Sequence, residues 1–580
     1  MSDELPRLSN HQADLLDQCE TLLSKGRIER RQFMALAIGL GVGGAQATTM
    51  AEQALRVQQN QETLAKALRT RYDYIVCGSG SAGSVIAGEL ARRTGALVLL
   101  LEAGGTDLTP NVTNPVVWPR NLWSDLDWKD LSEPAAGLDG RRIRMNTGKV
   151  LGGGSSINAA NYSRGHRADY EFWAAETGDP AWNYASALDI FKRLENWQGP
   201  ADPQRRGRGG PVWVQPAANL HPGAVAMLDA AAKVGIPRFE DANGAILESM
   251  AGAAPLSHSI QDGRRRNMPS NFLYPVMDRP NLTVLTGASV DRLVIQRGRA
   301  TGVVMRWQGR LLTIETEREV IVSTGALNTP KLLMLSGIGD ERQLKPLGIP
   351  LVLHRPEVGQ NLQDNIFLAG CLWEYKEALP PRAGVADAMV LNRTRSDLDG
   401  PNMYTVHTQN GAASPEITRR HAPPPTCWGL APGLMRTESR GSVGLVSTDP
   451  DARPRVNAPY LNDANDVRAL IHGVEFAREL GNSPTMREFV KREVLPGPLK
   501  GDEMAAFVRD ATTTYFHTAG TCRMGKDDGA VVDAKLKLRG IEGLRVADSS
   551  VMPRLATGPI MAPCMLIGQR LVDVLLTAGR

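Results

Sequence analysis

A glycine-rich turn close to residue 80 has the residue types and spacing of a dinucleotide-binding site. Gly78, Gly80 and Gly83 form G-x-G-x-x-G, with Ser81 inside the turn, and Glu102 stands 19 positions after the last glycine. In such a turn the first glycine permits a tight bend, the second lets the backbone approach a pyrophosphate, and the third lets a helix pack closely on a strand. A carboxylate at the Glu102 position accepts hydrogen bonds from ribose hydroxyls and repels a 2′-phosphate, which disfavours NADP.

The segments around this turn supply the elements that must position it. Residues 72–78 (YDYIVCG) and 96–104 (ALVLLLEAG) are apolar runs typical of buried strands. Residues 84–95 place Ala, Ile and Leu on one face of a helix, and the glycine turn lies between the first strand and this helix. Strand, turn, helix and strand in this order predict an α/β, Rossmann-like domain. The glycine motif alone does not separate FAD from NAD.

Three further segments carry long motifs: residues 148–171 (GKVLGGGSSINAANYSRGHRADYE), 325–339 (GALNTPKLLMLSGIG) and 517–548, which begins HTAGTCRMG. They resemble the motifs of the glucose–methanol–choline (GMC) family of FAD-dependent oxidoreductases, in the family's order and roughly its spacing. The resemblance extends from Tyr72 to the C-terminus. It implies an α/β protein with a Rossmann-like FAD-binding domain and an α+β substrate domain built on an antiparallel sheet. It also implies a choline dehydrogenase-like enzyme that oxidises an alcohol.

The same resemblance implies how the chain divides into domains. The FAD-binding domain is expected from residues 72–190, 250–360 and 540–580. The substrate-binding domain is expected from residues 191–249 and 361–539, with His517 at the junction of the two. A site buried between two domains is a usual place for a ligand pocket.

Several residues in these motifs suit contact with a flavin. Gly152 and Gly153 let backbone approach a flat ring or a phosphate, while Ser155 and Asn158 supply short donors and acceptors for a polar ring edge. Taken singly, such residues are also common as loop caps and turn residues. By resemblance, the flavin-binding residues besides the glycine turn and Glu102 are Ser81, Ala103, Gly148, Val150, Gly152, Gly153, Ser155, Asn158, Val290, Ala547 and Asp548.

The residue before Asn158 bears on how the flavin is attached. In relatives that link FAD covalently through a histidine, that histidine stands immediately before the Asn158 position. Here the residue is Ile157. Non-covalently bound FAD is therefore predicted.

Oxidation of an alcohol needs a base for the hydroxyl proton and an acceptor for the hydride, which in a flavoenzyme is the flavin N5. A histidine suits the base because its pKa lies near neutrality. His517 opens the HTAGTCRMG motif at the family's catalytic position and is the predicted base. The predicted product is the aldehyde or ketone.

Pro559 departs from the family, which has an asparagine or a second histidine at this position to bind the substrate oxygen. Proline offers neither a side-chain hydrogen bond nor a backbone N–H. His517 could then act alone or with a water, another polar side chain such as His407 could enter from the substrate domain, or the reaction could differ. The apolar run Pro559–Ile560–Met561 favours a primary alcohol with an apolar or aromatic body over a sugar.

Other activities are known on this scaffold. A non-redox lyase that keeps FAD as structure and a flavin photoenzyme both remain alternatives, as does a non-catalytic binding protein. The retained histidine and the complete flavin motifs favour redox chemistry.

The composition excludes several classes of partner. The 580 residues carry a net charge of +4, which does not indicate a nucleic-acid partner. The basic runs 205–208 and 264–266 lack interleaved aromatic residues and are expected to be solvated loops. The six cysteines contain no CxxC pair, so neither a disulfide framework nor a metal site is predicted.

The N-terminus resembles an export signal. Residues 27–47 contain Arg30–Arg31, a short apolar run and Ala45–Gln46–Ala47 in A-x-A form. This predicts a twin-arginine signal over residues 1–47, a polar helix-favouring tether over 48–71 and a periplasmic enzyme. An uncleaved N-terminal helix on a cytoplasmic protein is the alternative. No stable membrane span is predicted. The electron acceptor of a periplasmic enzyme could be oxygen, a quinone or a cytochrome.

Overall fold

The apolar runs on either side of the glycine turn form the centre of a seven-stranded sheet. The structure, a computed structural model, describes residues 29–40, 42, 44–377, 379 and 386–578, and before residue 29 only positions 12, 15, 16, 18, 19, 22 and 23. In the order of their pairing, the strands of this sheet are Leu282–Thr286, Val98–Glu102, Arg71–Cys77, Arg310–Val322, Arg299–Trp307 and Ala288–Gln296. The seventh strand, Leu544–Val546, pairs with the end of Arg310–Val322.

The first four strands in this order and Leu544–Val546 are parallel, whereas residues 288–322 fold back as an antiparallel meander. Val98–Glu102 and most of Arg71–Cys77 are buried on both faces because helices cover the sheet. The helix Ser81–Arg93 follows the glycine turn, and the C-terminal helix Met561–Ala578 packs against it. This arrangement is the predicted Rossmann-like unit.

A second sheet of eight strands is antiparallel throughout. Its main path is Val490–Leu495, Leu372–Tyr375, Cys427–Leu434, Met403–Thr408, Ala388–Asn392 and Gly252–Pro255, and Ile366–Leu368 links Cys427–Leu434 to Thr512–Thr514. The helices Pro222–Lys233 and Ala464–Gly481 pack against this sheet, and Gly501–Ala511 packs against Ala464–Gly481. The α/β class with an antiparallel second sheet is confirmed.

Smaller elements connect the two sheets. The remaining strands are Asn161–Tyr162, Ser257–His258, Val212–Pro216 and Glu195–Trp197 in one four-stranded sheet, and the pairs Asp130–Leu131 with Arg144–Met145, Ile260–Gln261 with Arg264–Arg265, Ile338–Gly339 with Leu353–His354, and Ser442–Gly444 with Arg455–Asn457. The remaining α-helices of the described chain are Arg30–Gly39, Gly44–Lys66, Pro110–Thr113, Gly154–Ile157, Arg167–Thr177, Tyr184–Leu194, Gly325–Leu335, Glu341–Leu344 and Pro415–His421. Short 3₁₀ turns lie at Pro115–Asn121, Ala136–Leu138, Pro180–Trp182, Ala245–Glu248, Lys345–Leu347, Pro484–Met486 and Ser549–Val551, and a π-helical turn lies at Pro269–Leu273.

The division into domains at residue 250 stays a prediction. The strand Gly252–Pro255 pairs with Ala388–Asn392 and so belongs to the antiparallel sheet, although it lies within the range 250–360.

Residues 44–66 form a helix that is docked on the first sheet. Gln61 Oε1 accepts the backbone N–H of Val284 at 2.9 Å, and Gln61 Nε2 donates to Leu282 O at 2.9 Å. Most of the predicted tether over 48–71 is therefore this docked helix. Much of the predicted signal over 1–47 lies outside the described residues. Within the described chain, no helix is long and apolar enough to cross a membrane.

The two basic runs are not simply solvated loops, so that prediction is wrong. Arg206 is 4% exposed and Arg265 is 6% exposed. Arg206 is buried because Glu195 and Asp241 pair with it at 3.0 and 2.7 Å, and its guanidinium lies over the Trp197 ring.

Candidate functional site

A cavity of about 730 Å³ lies between the two sheets. Its wall contains these predicted site residues: Gly78, Gly80, Ser81, Glu102, Ala103, Gly148, Gly153, Ser155, Asn158, Val290, His517, Asp548 and Pro559. The structure thus brings the glycine turn and the HTAGTCRMG motif to one continuous space. Four predicted residues lie outside the lining: Gly83, Val150, Gly152 and Ala547.

Two of these four residues support the cavity wall by close packing. A Cβ on Gly83 would lie 2.0 Å from Gly78 O, so only glycine lets this helix approach the preceding strand so closely. Gly152 has a φ of +89°, and a Cβ there would lie 2.4 Å from Ser156 Oγ. Val150 and Ala547 are fully buried and bond to neighbouring backbone.

The helix Ser81–Arg93 presents its N-terminus to one end of the cavity. Its N-cap residue, Gly80, provides no side-chain cap, so the first N–H groups of the helix have no side-chain acceptor. These N–H groups and the positive end of the helix dipole suit a pyrophosphate. We call this region the dinucleotide end of the cavity.

Glu102 is held rigidly at the dinucleotide end. Its Oε2 accepts the backbone N–H and the hydroxyl of Ser79 at 3.1 and 2.6 Å, and its Oε1 accepts the N–H of Gly104 at 2.8 Å. Burial raises the pKa of Glu102, while these hydrogen bonds lower it. A carboxylate has about four acceptor positions. One position is therefore left for a ribose hydroxyl.

Asp548 reaches the cavity wall but bonds to the protein. Its Oδ2 accepts Gly325 N at 2.8 Å and the Thr329 hydroxyl at 2.6 Å, and its Oδ1 accepts Ser550 N at 2.8 Å. Burial raises the pKa of this carboxyl. Asp548 therefore anchors the start of the helix Gly325–Leu335 beside the cavity.

His517 lies at the other end of the cavity, just after the strand Thr512–Thr514. Phe516, which precedes it, has a φ of +67°, an uncommon conformation for a residue with a side chain. Phe516 N donates to the Thr514 hydroxyl at 2.7 Å, which holds this turn. The His517 backbone N–H donates to Asp364 Oδ1 at 2.8 Å, and its ring Nδ1 lies 2.7 Å from Asn365 Oδ1.

The hydrogen bonds of Asn365 define the tautomer of His517. Asn365 Nδ2 donates to Met435 O at 2.6 Å, which fixes the orientation of the amide. Asn365 Oδ1 is then an acceptor, so Nδ1 of His517 carries the ring proton and Nε2 carries a lone pair. Burial lowers the pKa of His517 to about 3. The ring is therefore a neutral acceptor at physiological pH.

Asp364 supports this arrangement from behind. It is fully buried and accepts the hydroxyls of Tyr460 and Thr514 at 2.5 and 2.6 Å, in addition to the N–H of His517. Burial raises the pKa of Asp364 to about 6, against the opposing effect of these hydrogen bonds.

Aromatic and apolar side chains surround His517. The Tyr515 ring stacks on the His517 ring at a centroid distance of 5.0 Å, and Phe516 meets Trp118 edge to face at 6.3 Å. Pro559, Ile560 and Met561 form another part of the wall. The second sheet also contributes a polar side chain to the cavity wall, that of Thr408.

His407 does not supply the polar group that is missing at Pro559. It lies in a strand whose alternate residues Val406 and Thr408 line the cavity, so its own side chain points to the opposite face. There it stacks on His221 at 5.2 Å and approaches Trp428. Burial lowers its pKa to about 3.

The sequence reasoning missed Asn365, Asp364 and Tyr515. The available signal was the polar run Gln363–Asp364–Asn365, which stands directly before an apolar strand. The three residues of this run are fully or nearly fully buried. Nothing in the sequence relates Asn365 to a histidine 152 positions later.

Comparisons with known proteins give consistent matches over most of the chain. Family models described as GMC oxidoreductase match residues 72–367 and 437–568. Pyridoxine 4-oxidase of Microbacterium luteolum is 35% identical over 86% of this chain and 98% of its own length. Oxygen-dependent choline dehydrogenase of Rhizobium johnstonii is 36% identical over 87% of this chain and 95% of its own length. The crystal structure of pyridoxine 4-oxidase from Mesorbium loti superposes with a TM-score of 0.83 at 31% identity, covering 87% of this chain and 99% of that one.

Proposed function

Since the chain belongs to the GMC oxidoreductase family and is an FAD-dependent alcohol oxidoreductase, we propose that it oxidises a primary alcohol with an aromatic or apolar body, with His517 as the base. The single observation that carries this proposal is the Asn365–His517 hydrogen bond. It leaves His517 Nε2 as an unprotonated acceptor at the wall of the cavity.

The described residues fit FAD. The uncapped helix start after Gly80 would take the pyrophosphate, and Glu102 would take a ribose hydroxyl. Gly152 and Gly153 adopt positive φ, and a Cβ on Gly153, which lines the cavity, would lie 2.9 Å from Gly80 Cα, so glycine lets this loop pack closely on the glycine turn. When bound, FAD would supply the acceptor for the hydride of the alcohol carbon, which carries both electrons of the oxidation. Ile157 in place of a histidine supports non-covalent binding.

Residues of the protein accept the proton of the alcohol hydroxyl. His517 Nε2 accepts the hydroxyl proton, and Asn365 keeps the other ring nitrogen protonated so that the basic nitrogen is the one available to substrate. Asn365 is neutral, so the hydrogen bond to Nδ1 adds no negative charge to stabilise the resulting imidazolium. We expect the proton to leave His517 readily once the product has gone.

The charge of the cavity supports a neutral aromatic substrate over a cationic one. The carboxylates that line the cavity in the described chain are Glu102, Asp291, Asp451 and Asp548. None of these belongs to the segments 365–413 and 513–518, which surround His517. Choline carries a fixed positive charge, whereas pyridoxine is a neutral aromatic alcohol. Stacking aromatic rings such as Tyr515 favour the aromatic class.

Anaerobic mixing of the purified holoenzyme with alcohols, followed at the oxidised-flavin absorbance band, tests the proposal. A benzylic or pyridylmethyl alcohol should bleach the band at least about tenfold faster than choline or glucose at equal concentration. Admitting air afterwards shows whether oxygen reoxidises the flavin or whether a quinone or cytochrome is required. Faster bleaching by glucose or choline would refute the substrate class. Bound flavin that no alcohol bleaches would instead favour a lyase or photoenzyme activity.

We further propose twin-arginine export to the periplasm. Arg30 and Arg31 are exposed in the helix Arg30–Gly39, where export machinery can reach them. Cell fractionation of the full-length chain should find flavin-loaded protein in the periplasm, and the double variant Arg30→Lys, Arg31→Lys should remain in the cytoplasm. Equal periplasmic amounts of both proteins would contradict this route.

A further inference from the structure

Arg265 is a buried cation without a carboxylate partner. Its Nε donates to Val112 O at 2.8 Å, its Nη1 donates to Asn158 Oδ1 and lies 3.5 Å from Ser155 O, and its Nη2 has no hydrogen-bond partner. All of these acceptors are neutral. In the part of the chain that the structure describes, no Asp or Glu forms an ion pair with it, in contrast to Arg206.

A buried guanidinium with only neutral partners is unfavourable, because burial removes its hydration and nothing replaces the lost charge stabilisation. Burial lowers the pKa of Arg265 to about 9, which still leaves the group charged at neutral pH. The interior therefore holds an uncompensated positive charge. The residues that it contacts, Asn158 and Ser155, both line the cavity, so the compensating negative charge is expected from the cavity side.

Asn158 carries the effect of this charge to the cavity. Its Oδ1 accepts from Arg265 and from Ala160 N at 2.9 Å, so the amide oxygen is turned towards the protein. Its Nδ2 faces the cavity beside Met561 Sδ, a weak acceptor at 3.3 Å. The positive charge on Arg265 polarises the amide and makes the Nδ2 hydrogens stronger donors.

We propose that Arg265, acting through Asn158, raises the reduction potential of the bound flavin. Reduction adds two electrons to the ring system, so a fixed positive charge and a polarised donor beside the ring stabilise the reduced form more than the oxidised form. Arg265 is thus a positioning and tuning residue behind the cofactor. The inference rests on the proposed flavin site.

The test compares holoenzyme variants by their flavin midpoint potential. Arg265→Met removes the charge at similar length, and Arg265→Lys keeps it. Arg264→Met changes the neighbouring arginine of the same strand and is the matched control. Potentials are measured by equilibrium reduction against a reference dye, and the dissociation constant for sulfite is a second readout. Arg265→Met should disfavour reduction at least tenfold, equal to about 30 mV for a two-electron couple, and should bind sulfite more weakly. Arg265→Lys and Arg264→Met should stay near wild type.

Two outcomes overturn the inference. One is a wild-type potential in Arg265→Met with its flavin bound. The other is loss of FAD from Arg265→Met with an unchanged potential in the fraction that retains it. This result would show that the charge of Arg265 stabilises the bound phosphates and not the reduced ring. If Arg265→Met does not fold, Asn158→Ala keeps the cation and removes the relay, and an unchanged potential there overturns the inference equally. Absence of flavin from the wild-type protein would instead refute the proposed function.

Discussion

At the residue scale, His517 is defined by its neighbours more than by its own identity. Its ring donates from Nδ1 to Asn365 and stacks on the Tyr515 ring, and its backbone N–H donates to Asp364. The HTAGTCRMG motif singled out this histidine, and the structure places it at the cavity wall. The motif did not predict the neutral amide beside it, because that contact arises only when two distant segments meet in the second sheet.

Replacement of the Asn365 amide by a carboxylate should raise the pKa of His517. In the wild type, burial holds the pKa of His517 near 3, so protonation of this base should not reduce kcat/KM between about pH 5 and 8. Asn365→Asp places a negative charge at Nδ1, which favours the imidazolium and raises the pKa of His517. The acidic limb of kcat/KM should therefore shift upward by about one pH unit or more.

The pH profile of kcat/KM with the best alcohol measures this shift. Asp364 also titrates in the same window, with a pKa of about 6, and it contacts the His517 N–H. Asp364→Asn is therefore run beside Asn365→Asp, so that the contribution of Asp364 is measured separately. An acidic limb in Asn365→Asp that coincides with the wild-type limb would contradict the role assigned to Asn365.

At the scale of elements, the sequence predicted those whose pattern is contained in one contiguous segment. The apolar runs of Arg71–Cys77 and Val98–Glu102 had to be buried parallel strands, and the glycine turn between the first strand and the helix Ser81–Arg93 follows directly from them. Elements held by tertiary contacts were misjudged. The helix Gly44–Lys66 has the composition of a solvated tether, yet its Asn60 and Gln61 bond to the edge strand Leu282–Thr286 and the turn before it.

The basic runs show the same limit for charged residues. Arg206 is buried because Glu195 and Asp241 meet it from other segments, and no property of residues 205–208 indicates those partners. The sequence left His407 open as a polar partner in the site. The structure places Val406 and Thr408 on the cavity side of that strand, so the alternation of side chains directs His407 to the opposite face.

At the scale of the whole molecule, the candidate site is a cavity that the two sheets share. The first sheet and its helix N-terminus suit a dinucleotide, and the second sheet brings Asn365 and His517 to the opposite end. The sequence could identify many of the residues that line the dinucleotide end because its motifs are contiguous. The substrate side comes from segments between 365 and 518 that are far apart in the chain, so their mutual geometry required the structure.

The rate of anaerobic flavin bleaching by the best alcohol in His517→Ala tests the central claim most directly. The base is expected to contribute at least ~100-fold, so the variant should bleach at least that much more slowly while retaining its FAD. His421→Ala, at an exposed helix end, is the matched control and should match the wild type. Bleaching of His517→Ala at the wild-type rate would show that another group takes the hydroxyl proton.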